Sequence, residues 1–192
     1  MKHYIIYIPG LGDGYDTLRR FLLFFWQIYG VKVELVPTKW YDGRSYEEKY
    51  NRVDAAIKKA QQAGYIVSVI GESAGASMAM NIFARHESLH RLVSLCGVNS
   101  YKTLISPRIF QRGPAFKESV SLLNTSQADA VKTRATHMTS ITARYDPVVP
   151  IESNIIPGAR RISVWSVGHF TTIMLCLSVL SFTVVREIRR KI

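Results

Sequence analysis

The sequence predicts an α/β protein whose parallel sheet of about six strands carries helices on both faces. The chain has 192 residues, of which 47% are hydrophobic and 20% charged, which suits a single domain over residues 1–192 with a buried core. Runs of apolar and β-branched residues alternate with patterns of helical period, and parallel strands need such crossover connections. The predicted strands are residues 2–10, 31–36, 65–71, 91–97, 136–146 and 160–166.

Capping residues and glycines mark the first two predicted helices. Asp16 is a candidate N-cap for a helix that Gly30 ends. Ser45 and Glu48 form a capping box before the second helix, and Gly64 follows its end. That helix carries one apolar stripe, formed by Tyr46, Tyr50, Val53, Ile57 and Ala60.

Residues 98–132 interrupt the alternation and are interpreted as an excursion over one edge of the sheet. They contain Pro107 and Gly113, followed by a segment rich in Ser, Asn and Thr. Because proline and glycine break regular elements, one or two short helices are predicted around 101–110 and 115–124. Any cap over the sheet would be confined to this excursion and would therefore be small.

The later helices are predicted over residues 74–86 and from about 170 to 188. The apolar run in the last one, 173–185, is shorter than the roughly 20 residues that a transmembrane helix needs. A helix packed on the sheet is therefore favoured, and peripheral membrane contact through its basic end is the alternative. The residues predicted to share its buried face are Ile173, Leu177, Leu180 and Val184.

The chain is basic, with 25 Lys and Arg against 14 Asp and Glu and a formal net charge of +11. Such a charge favours the interpretation of a solvated basic face, with an anionic partner, either nucleic acid or membrane headgroups, as the alternative. No stripe of basic residues interleaved with aromatic residues is present, so nucleic acid is not expected as a partner. Cys96 and Cys176 are too few for a disulfide framework and indicate buried thiols in the cytoplasm. Residues 1–9 do not have the pattern of a secretory signal.

Ser73 stands between Gly71 and Gly75, where the third predicted strand passes into a helix. In the pattern Gly-x-Ser-x-Gly, a sharp turn exposes the serine Oγ and leaves room only for small neighbours. Parallel sheets bind ligands at the carboxyl ends of their strands, and a helix N-terminus favours negative charge. The setting indicates a nucleophile, against the alternative of a tight turn that merely tolerates serine.

A serine hydroxyl needs a base to remove its proton, and His169 is the candidate. It lies in the loop after the last predicted strand, at the same carboxyl edge as Ser73. The other histidines are placed at the opposite edge of the sheet or at the far end of a helix: His3, His86, His90 and His137.

The base needs a carboxylate that fixes its tautomer, and Asp146 is the candidate. It follows the fifth predicted strand directly, and Pro147 and Pro150 stiffen its loop. Asp129 precedes that strand and would lie at the wrong edge. The alternative for Asp146 is an ordinary turn aspartate before proline.

A tetrahedral intermediate needs an oxyanion hole of fixed donors. The N–H of Ala74, directly after Ser73, is one predicted donor. The glycine-rich loop after the first strand supplies the other, for which Leu11 is the candidate, with Gly10 and Gly12 as its neighbours. The loop is not a phosphate-binding loop, since neither G-x-G-x-x-G nor a Gly-Lys-Ser/Thr ending is present.

These segments together resemble the α/β-hydrolase superfamily. Gly71 to Gly75 is similar to its nucleophile elbow, and the order Ser73, Asp146, His169 is similar to its triad order. The likeness covers nearly the whole chain, although the chain starts at what would be the third strand, so the first hairpin is expected to be missing. It is similar to the nearly lidless members, such as minimal lipases and retinoblastoma-binding-protein-9-like serine hydrolases.

The resemblance implies a serine hydrolase that cleaves a carboxylic ester of short or medium acyl chain, with no metal or organic cofactor. A small-molecule or acylated substrate is expected, and the oligomeric state is not indicated. Two alternatives stay open: a non-catalytic protein of the same fold that binds a membrane or partner, and an amide or thioester hydrolase. The candidate substrate contacts are Gly10, Tyr145, Arg108 and Arg112.

Overall fold

A parallel sheet is the centre of the computed structural model, which describes residues 2–100, 106–123 and 128–191. Within the described residues, the strands of this sheet are β1 (His3–Ile8), β2 (Val31–Leu35), β3 (Ile66–Glu72), β4 (Leu92–Leu95), β5 (Met138–Tyr145) and β6 (Arg160–Val167). Their order is β2-β1-β3-β4-β5-β6, and every neighbouring pair is parallel. The predicted six-stranded parallel sheet is confirmed.

Helices cover both faces of this sheet, as predicted. Those within the described residues are α1 (Asp16–Phe24), α2 (Tyr46–Gln62), α3 (Gly75–Arg85), α4 (Pro107–Arg112), α5 (Pro114–Leu122), α6 (Ala128–Thr133), α7 (Ile151–Asn154), α8 (His169–Leu177) and α9 (Ser181–Arg189). Short 3-10 helices occupy Asp13–Tyr15, Phe25–Tyr29 and Ala135–His137. One apolar core lies between the sheet and α2, α3 and α5, and a second lies between the sheet and α1, α8 and α9.

The second helix begins where predicted because Ser45 caps it. The Ser45 hydroxyl accepts a hydrogen bond from the Glu48 N–H at 3.2 Å, and the Glu48 carboxylate accepts one from the Ser45 N–H at 3.0 Å. This capping box satisfies two backbone donors that the first turn leaves free. The predicted stripe of α2 is buried, namely Tyr46, Tyr50, Val53, Ile57 and Ala60.

The first helix begins differently from the prediction, because Asp16 is its first residue and Tyr15 holds the N-cap position. The Asp16 carboxylate accepts a hydrogen bond from Arg19 at 2.9 Å and does not cap the helix. Gly30 ends the 3-10 helix that continues α1, at a φ of +65°. That left-handed conformation favours glycine, which is why the predicted end is correct.

The single helix predicted from about 170 to 188 is wrong, because the segment forms α8 and α9 with a bend of 70° between them. Ser178 leaves the helical region at φ −111° and ψ −97°. The indole N–H of Trp26 donates to the Leu177 carbonyl at 2.8 Å and so satisfies an oxygen at the end of α8. A tertiary contact that the local sequence does not reveal therefore stabilises the break.

Three of the four residues predicted to share a buried face here are buried: Ile173, Leu177 and Val184. Leu180 lies in the break and is only half-buried. Within the described residues, no single helix has the length and apolar character to span a membrane. Taken together, α8 and α9 meet this criterion of length and composition, but the pair is bent by 70°.

The excursion over residues 98–132 contains α4, α5 and α6. Residues 101–105 and 124–127 lie outside the described residues, so the helix predicted over 101–110 is described only from Pro107 onward. Neither α6 nor the short α7 was predicted. α5 packs on α3, where the Asn81 amide donates to the Ser119 carbonyl at 2.8 Å.

The order of the strands positions two loops beside each other. β1 and β3 are neighbours, but the chain continues from β1 to β2 on one side and from β3 to β4 on the other. A crevice opens at such a switch point, at the carboxyl ends of the strands. Because Ile8 pairs with Gly71 in register, the loop after β1 lies beside the residues that follow β3.

Candidate active site

Ser73 follows β3 directly and adopts a φ of +50°, which is uncommon for a residue with a side chain. Its N–H donates to the Leu95 carbonyl at 2.9 Å. Its own carbonyl accepts from the N–H groups of Ala76 at 3.1 Å and Val98 at 3.0 Å. Three backbone hydrogen bonds therefore hold the serine in a strained turn, an arrangement that is typical of functional sites.

The flanking glycines are required by close backbone contacts. A Cβ on Gly71 would lie 2.4 Å from the Cα of Ala76, and one on Gly75 would lie 2.3 Å from the carbonyl oxygen of Ile8. Both contacts are with backbone atoms of other segments, which cannot move aside easily. The strand-to-helix turn at Ser73 therefore depends on glycine at both positions.

The structure brings the side chains of Ser73, His169 and Asp146 into one hydrogen-bonded row. The Nε2 of His169 lies 2.8 Å from the Ser73 Oγ, and its Nδ1 lies 2.7 Å from the Asp146 Oδ2. His169 is the first residue of α8, where the sequence had suggested a loop. With Nδ1 donating to the carboxylate, Nε2 is left as an acceptor for the serine proton.

Asp146 is fixed by the backbone of its own loop. Its Oδ1 accepts hydrogen bonds from the N–H groups of Val148 at 2.9 Å and Val149 at 3.0 Å. Burial alone would raise the pKa of the Asp146 carboxyl, but the hydrogen bonds from His169 and these two N–H groups outweigh it and hold the pKa below its ordinary value. The carboxylate is therefore ionised and correctly oriented beside the imidazole.

Backbone N–H groups of Leu11 and Ala74 lie on the two segments that meet at Ser73. A Cβ on Gly10 would lie 2.7 Å from the Ser73 Cβ, so the loop after β1 touches the serine. Ala74 is the N-cap residue of α3. Within the described part of the chain, neither the Leu11 nor the Ala74 N–H donates to a protein acceptor. Both donors are therefore available to a ligand.

The structure resembles many solved structures, whereas neither a protein-family model nor a curated protein matches the sequence. A lipolytic enzyme from the metagenome-derived pair LipS and LipT superposes with a TM-score of 0.66 and 14% identity, covering 97% of this chain and 94% of that one. The ydeN gene product from B. subtilis gives a TM-score of 0.68 at 14% identity, covering 99% and 100%.

A third similar structure is MGS-MChE2, an alpha/beta hydrolase enzyme from the metagenome of lagoon sediments at Mar Chica, Morocco. It has a TM-score of 0.59 and 16% identity, with 97% of this chain and 93% of that chain covered. The chain has the α/β-hydrolase fold. Ser73, Asp146 and His169 follow the chain order that this fold uses for nucleophile, acid and base.

Sequence analysis missed a buried polar network next to the turn at Ser73 in this α/β-hydrolase fold. The guanidinium of Arg19 donates to both carboxylate oxygens of Glu72, at 2.6 and 2.7 Å, and the Tyr7 hydroxyl donates to the same carboxylate at 2.5 Å. Burial, followed by the Glu72 charge, raises the pKa of the Tyr7 hydroxyl well above its ordinary value. The sequence feature that could have revealed this network is Glu72, a charged residue at the end of a mostly apolar strand.

The same network reaches the loop after β1. Arg19 also donates to the Gly12 carbonyl at 2.9 Å. The Pro9 carbonyl, at the start of the loop, accepts from the Trp40 indole at 3.1 Å and from the Thr38 hydroxyl at 3.2 Å. Buried side chains therefore hold the carbonyls of Pro9 and Gly12, which lie two residues before and one residue after Leu11.

Cys96 lies close to the acid and base, with its Sγ and their ligand atoms all within 4.8 Å of one another. Such a group could in principle bind a metal ion, which would require a thiolate. Burial raises the pKa of the Cys96 thiol far above its ordinary value, and the facing atoms of Asp146 and His169 are already hydrogen-bonded to each other. The arrangement favours the hydrogen bond between Asp146 and His169 over a cation site. Cys96 and Cys176 are both free and buried, as predicted.

The predicted substrate contacts have different surroundings. Tyr145 ends β5 next to Asp146 and is exposed. The guanidinium of Arg112 lies 5.1 Å from the centroid of the Tyr41 ring, and Arg108 is exposed on α4. Of these, only Tyr145 neighbours one of the three hydrogen-bonded residues in sequence.

The remaining histidines occupy other parts of the fold, as the sequence had indicated. The rings of His3 and His90 are 5.7 Å apart at the amino edge of the sheet, and His137 lies beside the His90 carbonyl. His86 pairs with Asp54 at 2.8 Å. These contacts leave His169 as the histidine at the carboxyl edge.

Proposed function

We propose that this chain is a serine hydrolase that cleaves a carboxylic ester through an acyl-enzyme. The observation that supports this most directly is the unbroken row of hydrogen bonds from Asp146 through His169 to a strained Ser73. The fold that it shares with lipolytic and other hydrolase enzymes agrees with this chemistry.

In the proposed acylation step, the Ser73 Oγ attacks the carbonyl carbon of the ester while His169 Nε2 takes the hydroxyl proton. The carbonyl oxygen becomes an oxyanion that accepts hydrogen bonds from the N–H groups of Leu11 and Ala74. The intermediate then collapses, the carbon–oxygen bond to the alcohol breaks, and His169 returns the proton to that leaving oxygen. Asp146 stabilises the imidazolium throughout.

Deacylation repeats the sequence with water. His169 takes a proton from the water molecule, the hydroxide oxygen attacks the acyl carbon, and the bond to Ser73 Oγ breaks as His169 gives the proton back. The carboxylic acid leaves and the serine hydroxyl is regenerated. The cycle consumes one water and one ester and needs no cofactor.

The surroundings of the site support an accessible substrate with a short or medium acyl chain. Tyr15 and Phe170 pack with ring centroids 4.9 Å apart next to His169, and both are about half exposed. Such a rim offers apolar contact for an acyl chain without enclosing it. Tyr145 is a further candidate contact on the Asp146 side.

Labelling with a fluorophosphonate probe tests the proposed nucleophile. Wild-type protein should be labelled, and Ser73→Ala should not. Ser121→Ala, which changes an exposed serine on α5, is the matched control and should be labelled like wild type. Equal labelling of the Ser73→Ala variant would exclude Ser73 as the reactive group.

A substrate series then separates the acyl group from the bond type. p-Nitrophenyl acetate, butyrate, octanoate and palmitate test the length of the acyl chain, and matched butyryl thioesters and anilides test the bond that is broken. We expect the highest kcat/KM for butyrate or octanoate and a lower value for the anilide. A higher kcat/KM for the anilide than for the ester would indicate that the substrate is an amide.

A further inference from the structure

The outer face of α1 and of the 3-10 helix after it exposes large apolar side chains. Between 41% and 76% of each is accessible to solvent, in a segment whose inward positions, such as Leu23 and Trp26, are buried. We call this set the aromatic ridge; it consists of Leu18, Phe21, Phe24, Phe25 and Ile28. Soluble monomers seldom expose such a contiguous apolar surface without a function for it.

Ring contacts hold the ridge together, and its first residue, Leu18, follows the rim of the candidate site by three positions in the chain. Phe25 packs against Phe21 and Phe24 with centroids 5.1 and 5.7 Å apart. Tyr15, just before α1, packs on Phe170, which follows His169 in the chain. Residues three and four apart share a helix face, so the ridge extends from this rim along the whole helix.

An arginine-rich groove lies at the other end of the ridge. There Tyr29 and Phe182 have ring centroids 6.1 Å apart and line a cavity of about 420 Å³. We call it the arginine groove, because its lining also includes Arg160, Arg186, Arg189 and Arg190.

The arginine groove has an excess of positive charge. Glu187 is the one carboxylate in its lining, within the described part of the chain, and it lies 3.2 Å from Arg160 and 3.9 Å from both Arg186 and Arg190. One carboxylate cannot neutralise several guanidinium groups. Since guanidinium groups bind phosphate and carboxylate oxygens well, the groove is suited to an anionic headgroup.

We propose that the aromatic ridge and the arginine groove together dock the protein on a lipid surface that contains anionic headgroups. Apolar side chains beside arginines match the two layers of a bilayer surface, which places acyl chains next to charged headgroups. A second copy of the chain would instead bring like charges together, since each carries a net charge of +11. Docking in this orientation places the Tyr15–Phe170 rim against the lipid surface. If the proposed hydrolase function holds, the substrate is therefore an ester located in that surface.

Vesicle flotation tests the docking independently of any chemistry. Ser73→Ala protein is mixed with vesicles of neutral phosphatidylcholine, with or without phosphatidylglycerol, at low and high salt. The protein should float with the phosphatidylglycerol vesicles, and higher salt should weaken that binding. Because Ser73→Ala cannot form an acyl-enzyme, its binding to vesicles tests the docking proposal independently of the hydrolase proposal.

Paired variants assign the binding to the surface. In the same background, Phe21→Ser with Phe24→Ser should weaken the vesicle partition at least tenfold. Arg186→Gln with Arg190→Gln should weaken it by about fivefold for each charge removed. In otherwise wild-type protein, the phenylalanine changes should leave hydrolysis of p-nitrophenyl butyrate in solution unchanged, because both side chains are largely exposed and neither belongs to the hydrogen-bonded row of Ser73, His169 and Asp146.

Trp165→Ser is the matched control, because Trp165 is even more exposed but lies on the other side of the sheet. Its neighbour Val164 packs into the core beneath α1, α8 and α9, and alternate residues of a strand face opposite ways. This variant should bind vesicles like its parent. Loss of binding in Trp165→Ser equal to that in the ridge variant would overturn the assignment.

Three other results would also overturn the proposal. The first is that the protein does not float with either kind of vesicle, and the second is that it binds neutral and anionic vesicles equally at every salt concentration. The third is that light scattering shows a dimer, which the ridge variant converts to a monomer without any change in vesicle binding. The ridge would then be the interface with a second copy of the chain.

Discussion

Arg19 donates two hydrogen bonds to Glu72, the residue directly before Ser73, and both side chains are buried. The same guanidinium donates to the Gly12 carbonyl at 2.9 Å, in the loop that carries Leu11. One buried cation therefore connects the two segments that meet at the serine. Removing one partner of such a pair leaves an uncompensated buried charge, which is more damaging than losing a surface contact.

Arg19→Met should therefore lower the free energy of unfolding by about 3–5 kcal/mol. The Glu72 carboxylate would keep Tyr7 as a donor but lose its counter-charge. Urea unfolding measures the change. Lys58→Met, which breaks an exposed pair with Asp54, is the control and should have little effect.

A conservative change tests whether the network also positions the proposed oxyanion donors. Glu72→Gln keeps the shape of the side chain, and we expect a lower kcat with little change in KM, because only the transition state needs the Leu11 donor. Steady-state kinetics on p-nitrophenyl butyrate gives both constants. An unchanged kcat in a folded variant would limit the network to a structural role.

Ser73→Gly should be more stable than Ser73→Ala by about 1 kcal/mol. Residue 73 adopts a φ of +50°, which glycine adopts freely and alanine only at an energetic cost. Both variants lack the Ser73 hydroxyl, so the comparison reports chiefly the backbone preference at residue 73. Thermal unfolding at one pH compares them, and equal melting temperatures would mean that the turn carries no strain.

Gly75→Ala should destabilise the fold by about 2 kcal/mol or more, because its Cβ would collide with the Ile8 carbonyl at 2.3 Å. Gly14→Ala provides the comparison, since a Cβ at Gly14 meets nothing within 4 Å. Denaturant unfolding of the two variants should separate them clearly. Similar losses for both would contradict the packing argument.

The Asp146 carboxyl has a lowered pKa in the folded state, with an ordinary value of 3.8. A lowered folded pKa contributes stability above the ordinary pKa, and that contribution is lost as the pH falls through the folded pKa. The stability difference between wild type and Asp146→Asn should thus stay constant above about pH 5 and shrink at more acidic pH. Urea unfolding across this range measures it, and a difference independent of pH would argue against a lowered pKa of the Asp146 carboxyl.

Kinetics of the same variant tests the role of Asp146 in the reaction. Asp146→Asn should lower kcat by about 10⁴-fold while the fold is kept, because the amide would favour the wrong imidazole tautomer. The measurement is hydrolysis of p-nitrophenyl butyrate at neutral pH. A loss of less than tenfold would mean that Asp146 is dispensable for the proposed chemistry.

The parts of the fold that were predictable from the sequence depend on local signals. The capping box of Ser45 and Glu48 lies within one turn, and the Gly71 and Gly75 contacts belong to one short motif. The order of strands and helices follows from their alternation. These features can be predicted because each one is encoded within a few residues of where it acts.

The features that escaped prediction depend on contacts between distant residues. The break between α8 and α9 coincides with a hydrogen bond from Trp26 to Leu177, 151 positions apart in sequence. The Arg19–Glu72 pair spans 53 positions. Hydrophobic periodicity reports which face of a helix is buried, but it does not report which distant partner satisfies a polar group there.

The separation of Ser73 and His169 by 96 positions affects when the site can form. During synthesis from the amino end, the turn at Ser73 and the loop after β1 can emerge from the ribosome long before the His169 imidazole does. A nascent chain that has completed only β4 thus carries an unactivated serine. On the proposed mechanism, esterolysis begins only after translation has delivered α8, so the unfinished polypeptide is chemically inert toward the esters around it.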